Sequence, residues 1–207
     1  MAYKYFPDYD KALKEKTLSL LTERGVSIED IAELVLFLQK PYHADLTLDE
    51  CVYNVNRVLD KREIQNAILT GIQLDLLAEQ GKLLSPLQEM IACDEGLYGI
   101  DEVLALAIVN VYGSIGFTNY GYVDKMKPGI LQKLNDHSQG DVHTFLDDIV
   151  GAIAAAAASR LAHTRAHKGA QDAEDTKDAE DTPPSSDASP SLTGPKPSIA
   201  EIGKERR

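Results

Sequence analysis

The sequence predicts an all-α protein, a single-domain helical bundle followed by a disordered C-terminal tail. Three observations favour this fold class. Apolar residues recur at intervals of three and four through most of residues 1–163, whereas few segments alternate between apolar and polar residues. Helix-start and helix-stop residues divide the same region at helical intervals. Hydrophobic residues make up 43 % of the 207 residues, which is enough for a buried core.

Four helices are predicted in the N-terminal half. Ser27 is an N-cap candidate, and Thr47 begins a capping box with Glu50. Glycine and proline provide the stops, because neither continues a helix well. The predicted helices run from Lys11 to Thr22, from Ser27 to Pro41, from Thr47 to about Leu59 and from Arg62 to Gln80.

Three further helices are predicted, from Pro86 to Ala92, from Gly99 to Tyr112 and from Thr144 to His163. The sixth and seventh helices are apolar on almost every side. Helices of that kind belong in the interior of a bundle. We therefore expect these two helices to form the core and the other five to pack around them.

The composition changes sharply after His163. Residues 164–207 contain almost no large apolar side chains and include the near-repeat AEDTKDAEDT. Such a segment cannot bury enough apolar surface to offset the entropic cost of ordering it. We predict that residues 1–163 form one helical domain and that residues 164–207 are a disordered tail, acidic and rich in proline and serine.

Charge and composition exclude several classes of protein. The 33 acidic and 21 basic residues give a net charge of -12, which disfavours binding to nucleic acid. Cys51 and Cys93 are the only cysteines, too few for a disulfide scaffold or a cysteine-based zinc site. The longest apolar run extends only from Ile149 to Ala158, so no transmembrane segment is predicted. With no apolar secretion signal at the N-terminus, we expect a cytoplasmic protein.

Acidic pairs at helix starts are the first candidate site. Asp101-Glu102 opens the apolar sixth helix, Asp147-Asp148 lies in the first turn of the seventh, and Asp94 precedes the sixth. Adjacent helical residues point about 100° apart, so one acid of each pair faces inward. Neither Lys nor Arg occurs between Asp94 and Asn119. A divalent cation with oxygen ligands, Mg²⁺ rather than zinc, would supply the missing positive charge.

The same acids have a purely structural explanation. Asp and Glu are favoured in the first turn of any helix, where they cap backbone N–H groups and face the positive end of the helix dipole. The sequence leaves both explanations open.

A glycine-rich segment, Tyr112 to Lys125, is the second candidate. We predict that it is a loop whose glycines allow backbone N–H groups to approach a phosphate. The predicted phosphate-binding residues are Ser114, Thr118, Asn119 and Lys125. The alternative is an ordinary turn between two helices, because the segment matches no established phosphate-binding fingerprint.

Two long segments carry a family resemblance, DEGLYGIDEVLALAIVNVYGSIGFTNYGYVDK and TFLDDIVGAIAAAAASR. They resemble the short soluble Gram-positive branch of phosphatidylglycerophosphatase A, and the likeness extends over about residues 10–163. The resemblance implies an all-α bundle with one central helix ringed by others. It also implies Mg²⁺-dependent removal of the terminal phosphate of phosphatidylglycerophosphate, which yields phosphatidylglycerol.

The resemblance also suggests roles for the acids. An acidic signature of the membrane-embedded branch lines up with Ile100-Asp101-Glu102. We expect Asp101 and Asp147 to act in catalysis. The expected metal ligands are Asp94, Asp101, Glu102 and Asp148.

The predicted function is therefore that of a phosphomonoesterase of phospholipid biosynthesis. Its partner would be a phospholipid substrate at the membrane surface, with docking through an apolar patch near Tyr120 and Tyr122 and peripheral association with the inner membrane face. Two alternatives remain: a non-catalytic regulatory or binding protein with the same bundle, and a phosphatase of a soluble phosphate ester. The small-residue run Ala154 to Ala158 permits close helix packing and leaves a homo-oligomer open.

Overall fold

A computed structural model of the protein describes residues 9–136 and 140–180, with side chains over 11–136 and 140–166. The described residues are helical with no strand, so the all-α prediction is confirmed. The helices are α1 (Tyr9–Glu23), α2 (Ile28–Gln39), α3 (Leu48–Leu59), α4 (Arg62–Glu79), α5 (Leu87–Ala92), α6 (Ile100–Val109), α7 (Gly113–Met126), α8 (Ile130–Leu134) and α9 (Leu146–Glu180), and a 3₁₀ turn spans Asn110–Tyr112.

Local capping chemistry sets the starts of α2 and α3. The Ser27 hydroxyl accepts a hydrogen bond from the Asp30 N–H at 3.0 Å, and the Asp30 carboxylate accepts one from the Ser27 N–H at 2.9 Å. Thr47 and Glu50 form the same reciprocal pair. Such caps need only neighbouring residues, which is why the sequence places these two helices correctly.

The central element is α9. Every residue from Val142 to Ser159 is buried. Phe145 and Thr144, directly before α9, hydrogen-bond to α4 and α5, and Ser159 within α9 hydrogen-bonds to the 3₁₀ turn at Tyr112. The helix continues past His163 to Glu180, so part of the segment predicted as disordered is helical. The first compact unit of the chain ends at Gly169. Residues 181–207 of the predicted tail lie outside the described residues.

The glycine-rich segment is a helix, which corrects the predicted phosphate loop. Gly113, with φ of +73°, allows the turn from the 3₁₀ segment into α7. A Cβ atom at Gly116 would lie 3.0 Å from Val109 Cγ1, so this glycine permits close packing of α7 on α6. The sequence analysis missed α7, because tertiary packing outweighs the low helix propensity of its glycines, and it also missed the five-residue helix α8.

The helices α6 and α7 form a hairpin on the outside of the bundle. Tyr112, at the turn, accepts a hydrogen bond from the Ser159 hydroxyl at 2.8 Å, whereas Lys127, just past α7, contacts Asp147 near the other end of α9's buried part. Only one side of α6 is buried, and Val103 is 59 % exposed. The prediction that α6 is a core helix is therefore wrong: its apolar outer side faces solvent.

The central helix packs closely against α4 at Gly71. A Cβ atom there would lie 2.3 Å from Ile149 Cδ1 and 2.9 Å from Phe145 Cβ. Both neighbours are fully buried, so little room exists for them to move.

We expect Gly71→Ala to lower the free energy of unfolding by about 1–3 kcal/mol through overpacking. The matched control is Gly121→Ala in α7, where no heavy atom lies within 4 Å of a Cβ. That change should be neutral or stabilise by up to about 1 kcal/mol, because alanine favours helix. Urea unfolding of both variants measures the difference, and equal stabilities would contradict close packing at Gly71.

Candidate functional site

One lysine lies among several aspartates at the open end of the hairpin. The Lys127 ammonium is 2.7 Å from Asp147 Oδ2, 2.7 Å from Asp124 Oδ1 and 3.6 Å from Asp148 Oδ1. Lys127 ends α7 in the left-handed conformation, with φ of +42°. This backbone conformation is energetically unfavourable for a residue other than glycine, and it persists where the surrounding structure holds the residue in place.

Three buried aspartates lie at the starts of two helices, whereas Asp124 lies in the last turn of α7. In α9, Asp147 and Asp148 are each 7 % exposed, and Asp147 Oδ1 accepts a hydrogen bond from the Asp148 N–H at 2.8 Å. In α6, Asp101 is 9 % exposed, and its Oδ1 accepts a hydrogen bond from the Glu102 N–H at 2.9 Å. Both predicted explanations thus have support: each pair bonds to its own helix start, and three carboxylates are also buried together.

Negative charge exceeds positive charge in this cluster. Burial and the neighbouring Asp147 carboxylate raise the pKa of Asp148 to about 8, although the positive charge of Lys127 acts against them. Burial also raises the pKa of Asp101, and the nearby Asp94 acts in the same direction. We call Asp94, Asp101, Asp124, Asp147, Asp148 and Lys127 the carboxylate cluster.

The Lys127 ammonium remains charged in the cluster. Burial lowers its pKa, but the carboxylates of Asp147 and Asp124 outweigh burial and shift that pKa upward. The lysine predicted for phosphate binding, Lys125, is exposed instead. The sequence analysis missed Lys127, and the signal that could have found it is the helix-ending Lys-Pro-Gly sequence directly after α7.

Tyr120 adds an enclosed hydroxyl beside the cluster. Its side chain is 7 % exposed, which corrects its predicted place in an exposed docking patch. Burial raises the pKa of Tyr120, and the nearby carboxylate of Asp148 raises it further. The phenol therefore stays protonated, and its buried oxygen has no well-formed hydrogen bond.

Asp75 was missed by the sequence analysis. This fully buried residue of α4 accepts hydrogen bonds from the N–H groups of Phe145 and Leu146, both at 3.1 Å. Burial outweighs the lowering effect of these two bonds and raises the pKa of Asp75 to about 8. The sequence feature that could have identified Asp75 is its helical spacing from Ile68 and Ile72, which places it on the apolar side of α4.

The predicted phosphate-binding residues lie elsewhere. Ser114, Thr118 and Asn119 line a cavity of about 430 Å³ together with His43. This cavity is near the turn of the hairpin: Ser114 lies at the start of α7 and Lys127 directly after its end, and thirteen helical steps separate the two residues by roughly 20 Å. The structure therefore does not bring the predicted phosphate residues together with the predicted metal ligands.

Two polar residues on or near α9 have structural partners. His143 is buried and lies 3.1 Å from the Arg24 guanidinium. Arg160 donates a hydrogen bond to Asn54 and stacks over Tyr53. Neither residue contacts the carboxylate cluster through these bonds.

Comparison with known proteins identifies the family of this chain. The model of the family described as phosphatidylglycerophosphatase A matches residues 18–163. The chain belongs to this family. It is 70 % identical over 155 residues to the uncharacterized protein YutG of Bacillus subtilis, covering 75 % of this chain and 93 % of YutG.

Two solved structures of similar proteins share the fold. The low temperature requirement C protein of Listeria monocytogenes is 71 % identical, with a TM-score of 0.73 over 74 % of this chain and 97 % of that one. The protein ypjQ of Bacillus subtilis is 55 % identical, with a TM-score of 0.74 over 76 % and 98 %. The helical bundle of this protein is therefore the fold already seen in these two solved structures.

The metal expected for this phosphatidylglycerophosphatase A family member fits the cluster in donor type and charge. The donors are hard carboxylate oxygens, and their negative charge exceeds that of the single lysine. Across the described side chains, no three His, Cys, Asp or Glu groups converge closely enough to hold an ion. Glu102, a predicted ligand, is exposed beside Gly99. The cluster thus supplies suitable ligands without a preformed cage.

The buried carboxyls predict a dependence of stability on pH. Asp148 keeps its proton to about pH 8 in the folded chain, whereas an unfolded aspartate loses it near pH 4. The folded state binds more protons between these values, so the free energy of unfolding should fall as pH rises from about 4 to about 8. Urea titrations in EDTA at pH 5, 6.5 and 8 measure this slope.

Asp148→Asn provides the control for that experiment. The amide has nearly the same shape and does not titrate, so the slope should become smaller, with Asp75 supplying the remainder. The same slope in both proteins would contradict the assignment of the proton to Asp148.

Proposed function

We propose that the protein is an Mg²⁺-dependent phosphomonoesterase that converts phosphatidylglycerophosphate to phosphatidylglycerol. The observation that carries this proposal is the buried carboxylate cluster, with its excess negative charge, in a chain of the phosphatidylglycerophosphatase A family. Structural acids at helix starts are normally solvated, whereas buried acids that share a single lysine are costly to fold around. Function is the reason to retain such a site.

In this proposal Asp94, Asp101 and Asp148 hold the ion. Asp148 is better suited than Asp147, because Lys127 lies 3.6 Å from Asp148 but 2.7 Å from Asp147. Bound Mg²⁺ would polarise the phosphoryl group and neutralise its charge. No preformed cage is required, because Mg²⁺ commonly keeps several of its water ligands when it binds to a protein.

The other groups of the cluster act on the substrate. Asp147, held by the Lys127 ammonium, would accept a proton from the attacking water. Lys127 would bind phosphoryl oxygens, the role predicted for Lys125, since it is the lysine that lies among the carboxylates. The Tyr120 hydroxyl, which stays protonated, would donate a hydrogen bond into the same space.

A non-catalytic regulatory or binding protein is the second candidate. The observation in its favour is that Asp101 and Asp147 both hydrogen-bond to the backbone of their own helix starts. Lys127 then neutralises part of the remaining charge, and the acids have a structural role. Activity measurements separate this candidate from the enzyme.

We expect phosphate release from phosphatidylglycerophosphate in detergent that requires Mg²⁺ and stops in EDTA. Asp101→Asn should lower kcat by about 100-fold or more, because removing one charged group from such a site typically costs this much. Asp49→Asn is the matched control, since Asp49 occupies the first turn of α3 but is exposed. It should retain full activity.

The outcomes distinguish the candidates. No release by folded protein with accessible lipid would leave the non-catalytic candidate. Release from water-soluble phosphate esters but not from the lipid would indicate a soluble substrate. A fully active Asp101→Asn enzyme would remove that residue from the site.

Metal binding should compete with protons at Asp148. Because its pKa is raised to about 8, we expect Mg²⁺ to increase the melting temperature more at pH 8 than at pH 6. Asp148→Asn should abolish most of this increase, and Asp49→Asn should preserve it. An increase that is the same at both pH values would contradict binding at Asp148.

A further inference from the structure

Two features of the α6–α7 hairpin are not used by the proposed function. Among the described residues, the segment Ile100–Met126 is long and apolar enough to cross a membrane, although the sequence analysis expected no such segment. The chain reverses direction at Gly113, and Ile108 and Val109 are buried in the core, so the segment is a folded hairpin and not a straight span. The second feature is the cavity near the turn.

This cavity of about 430 Å³ lies between the end of α2 and the start of α7. Polar side chains line it from both helices: Gln39 from α2, and Ser114, Thr118 and Asn119 from α7. Its volume is within the range of sites that bind small molecules. We call it the amide cavity, after the carboxamides of Gln39 and Asn119.

The two carboxamides of the amide cavity lack partners. Gln39 is only 4 % exposed, and its side chain forms no hydrogen bond within the described part of the chain. The buried Nδ2 atom of Asn119 has no hydrogen-bond partner either. Because the two ends of a carboxamide exchange by rotation about one bond, either its NH₂ group or its C=O group can meet a ligand.

Other buried carboxamides of the bundle are satisfied. Gln65, which is 3 % exposed, donates to the Leu59 carbonyl at 2.7 Å, and Asn54, which is 6 % exposed, donates to the Glu50 carbonyl at 2.8 Å. Buried polar groups normally have partners, because an unpaired group has lost its hydrogen bonds to water without replacement. Two unpaired carboxamides at one cavity therefore indicate that their partner is a molecule that enters it.

The amide cavity has no formal charge that would select an ion. None of the described residues that line it is Asp, Glu, Lys or Arg. Gln39 is the last residue of α2 and Ser114 the second of α7, so opposite ends of two helix dipoles meet there and offset each other. A phosphate, the ligand predicted for Ser114, Thr118 and Asn119, would lack a counter-charge, because Lys125 lies in the last turn of α7.

We propose that the amide cavity binds a small neutral polyol, such as a sugar or a glycerol-like molecule. Hydroxyl groups both donate and accept hydrogen bonds, and so do the carboxamides and hydroxyls that line the cavity. Tyr42 and Ile115 would provide apolar surface for the carbon skeleton. The proposal is independent of the proposed function, because roughly 20 Å separate Ser114 from Lys127 of the carboxylate cluster.

The test is a ligand-observed NMR titration of the full-length protein with glycerol, myo-inositol and glucose. It is run at pH 8, where a histidine such as His43 at the cavity wall is normally neutral. We expect saturable binding of at least one polyol, with a dissociation constant on the order of 1 mM. A melting-temperature assay is unsuitable here, because polyols stabilise folded proteins in general through exclusion from their surface.

Two variants locate the bound polyol. Gln39→Leu and Asn119→Leu each remove one carboxamide and keep a side chain of similar size, so each should weaken binding about tenfold. The matched control is Gln132→Leu, at an exposed glutamine of α8, which should bind normally.

Stability without ligand provides a second measurement. Gln39→Leu removes an unpaired amide, so this variant should melt at a higher temperature than the wild-type protein. Gln65→Leu removes a paired amide and should melt at a lower temperature, because the Leu59 carbonyl loses its donor. A similar decrease in both variants would show that Gln39 has a partner within the protein and would contradict the proposal.

Three binding results would also overturn the proposal. No saturable binding of any of the three polyols would leave the cavity to water. Undiminished binding by both Gln39→Leu and Asn119→Leu would place the polyol elsewhere. Tighter binding of inorganic phosphate than of any polyol would make the ligand an anion. No phosphate release is measured in these experiments, so their outcome is separate from that of the phosphatase assay.

Discussion

The buried start of α9 is the constraint on which the rest of the structure depends. A helix that begins inside a protein has backbone N–H groups with no intrahelical acceptor, and leaving them unpaired is costly. Asp75 reaches across from α4 and accepts from two of these groups, at Phe145 and Leu146. This one carboxylate connects the start of the central helix to α4. Close packing of Gly71, also in α4, against Phe145 and Ile149 further stabilises this contact.

Two members of the carboxylate cluster, Asp147 and Asp148, directly follow Leu146 at the same helix start. Asp147 and Asp148 cannot both face solvent there, because α9 is covered by its neighbours. Lys127 reaches them only because the hairpin folds back and α7 ends beside α9. The stability of the bundle and the chemistry of the site are therefore coupled: the same burial that orders α9 creates the excess negative charge that we propose a cation balances.

Much of the fold could be predicted because it depends on neighbours in sequence. The capping boxes at Ser27 and Thr47, and the stops after α1 to α5, act within a few residues. The hairpin could not be predicted in this way, because Gly116 in isolation favours a loop and becomes helical only where it packs against Val109. For the site, the sequence identified Asp101, Asp147 and Asp148 but misplaced Ser114 and Thr118, whose distance from the cluster depends on the direction of α7.

By itself the sequence determined that the protein is helical, that the alanine-rich helix after Thr144 is central, and that Asp101, Asp147 and Asp148 lie in the first turns of their helices. These properties follow from periodicity, local caps and composition, and each can be read from a short window of residues. The tertiary structure alone decided that Lys127 is the lysine of the cluster, that Asp75 caps α9, and that the outer side of α6 and α7 is left uncovered. Contacts between residues far apart in the chain create these features, and no local pattern encodes which distant surfaces will meet.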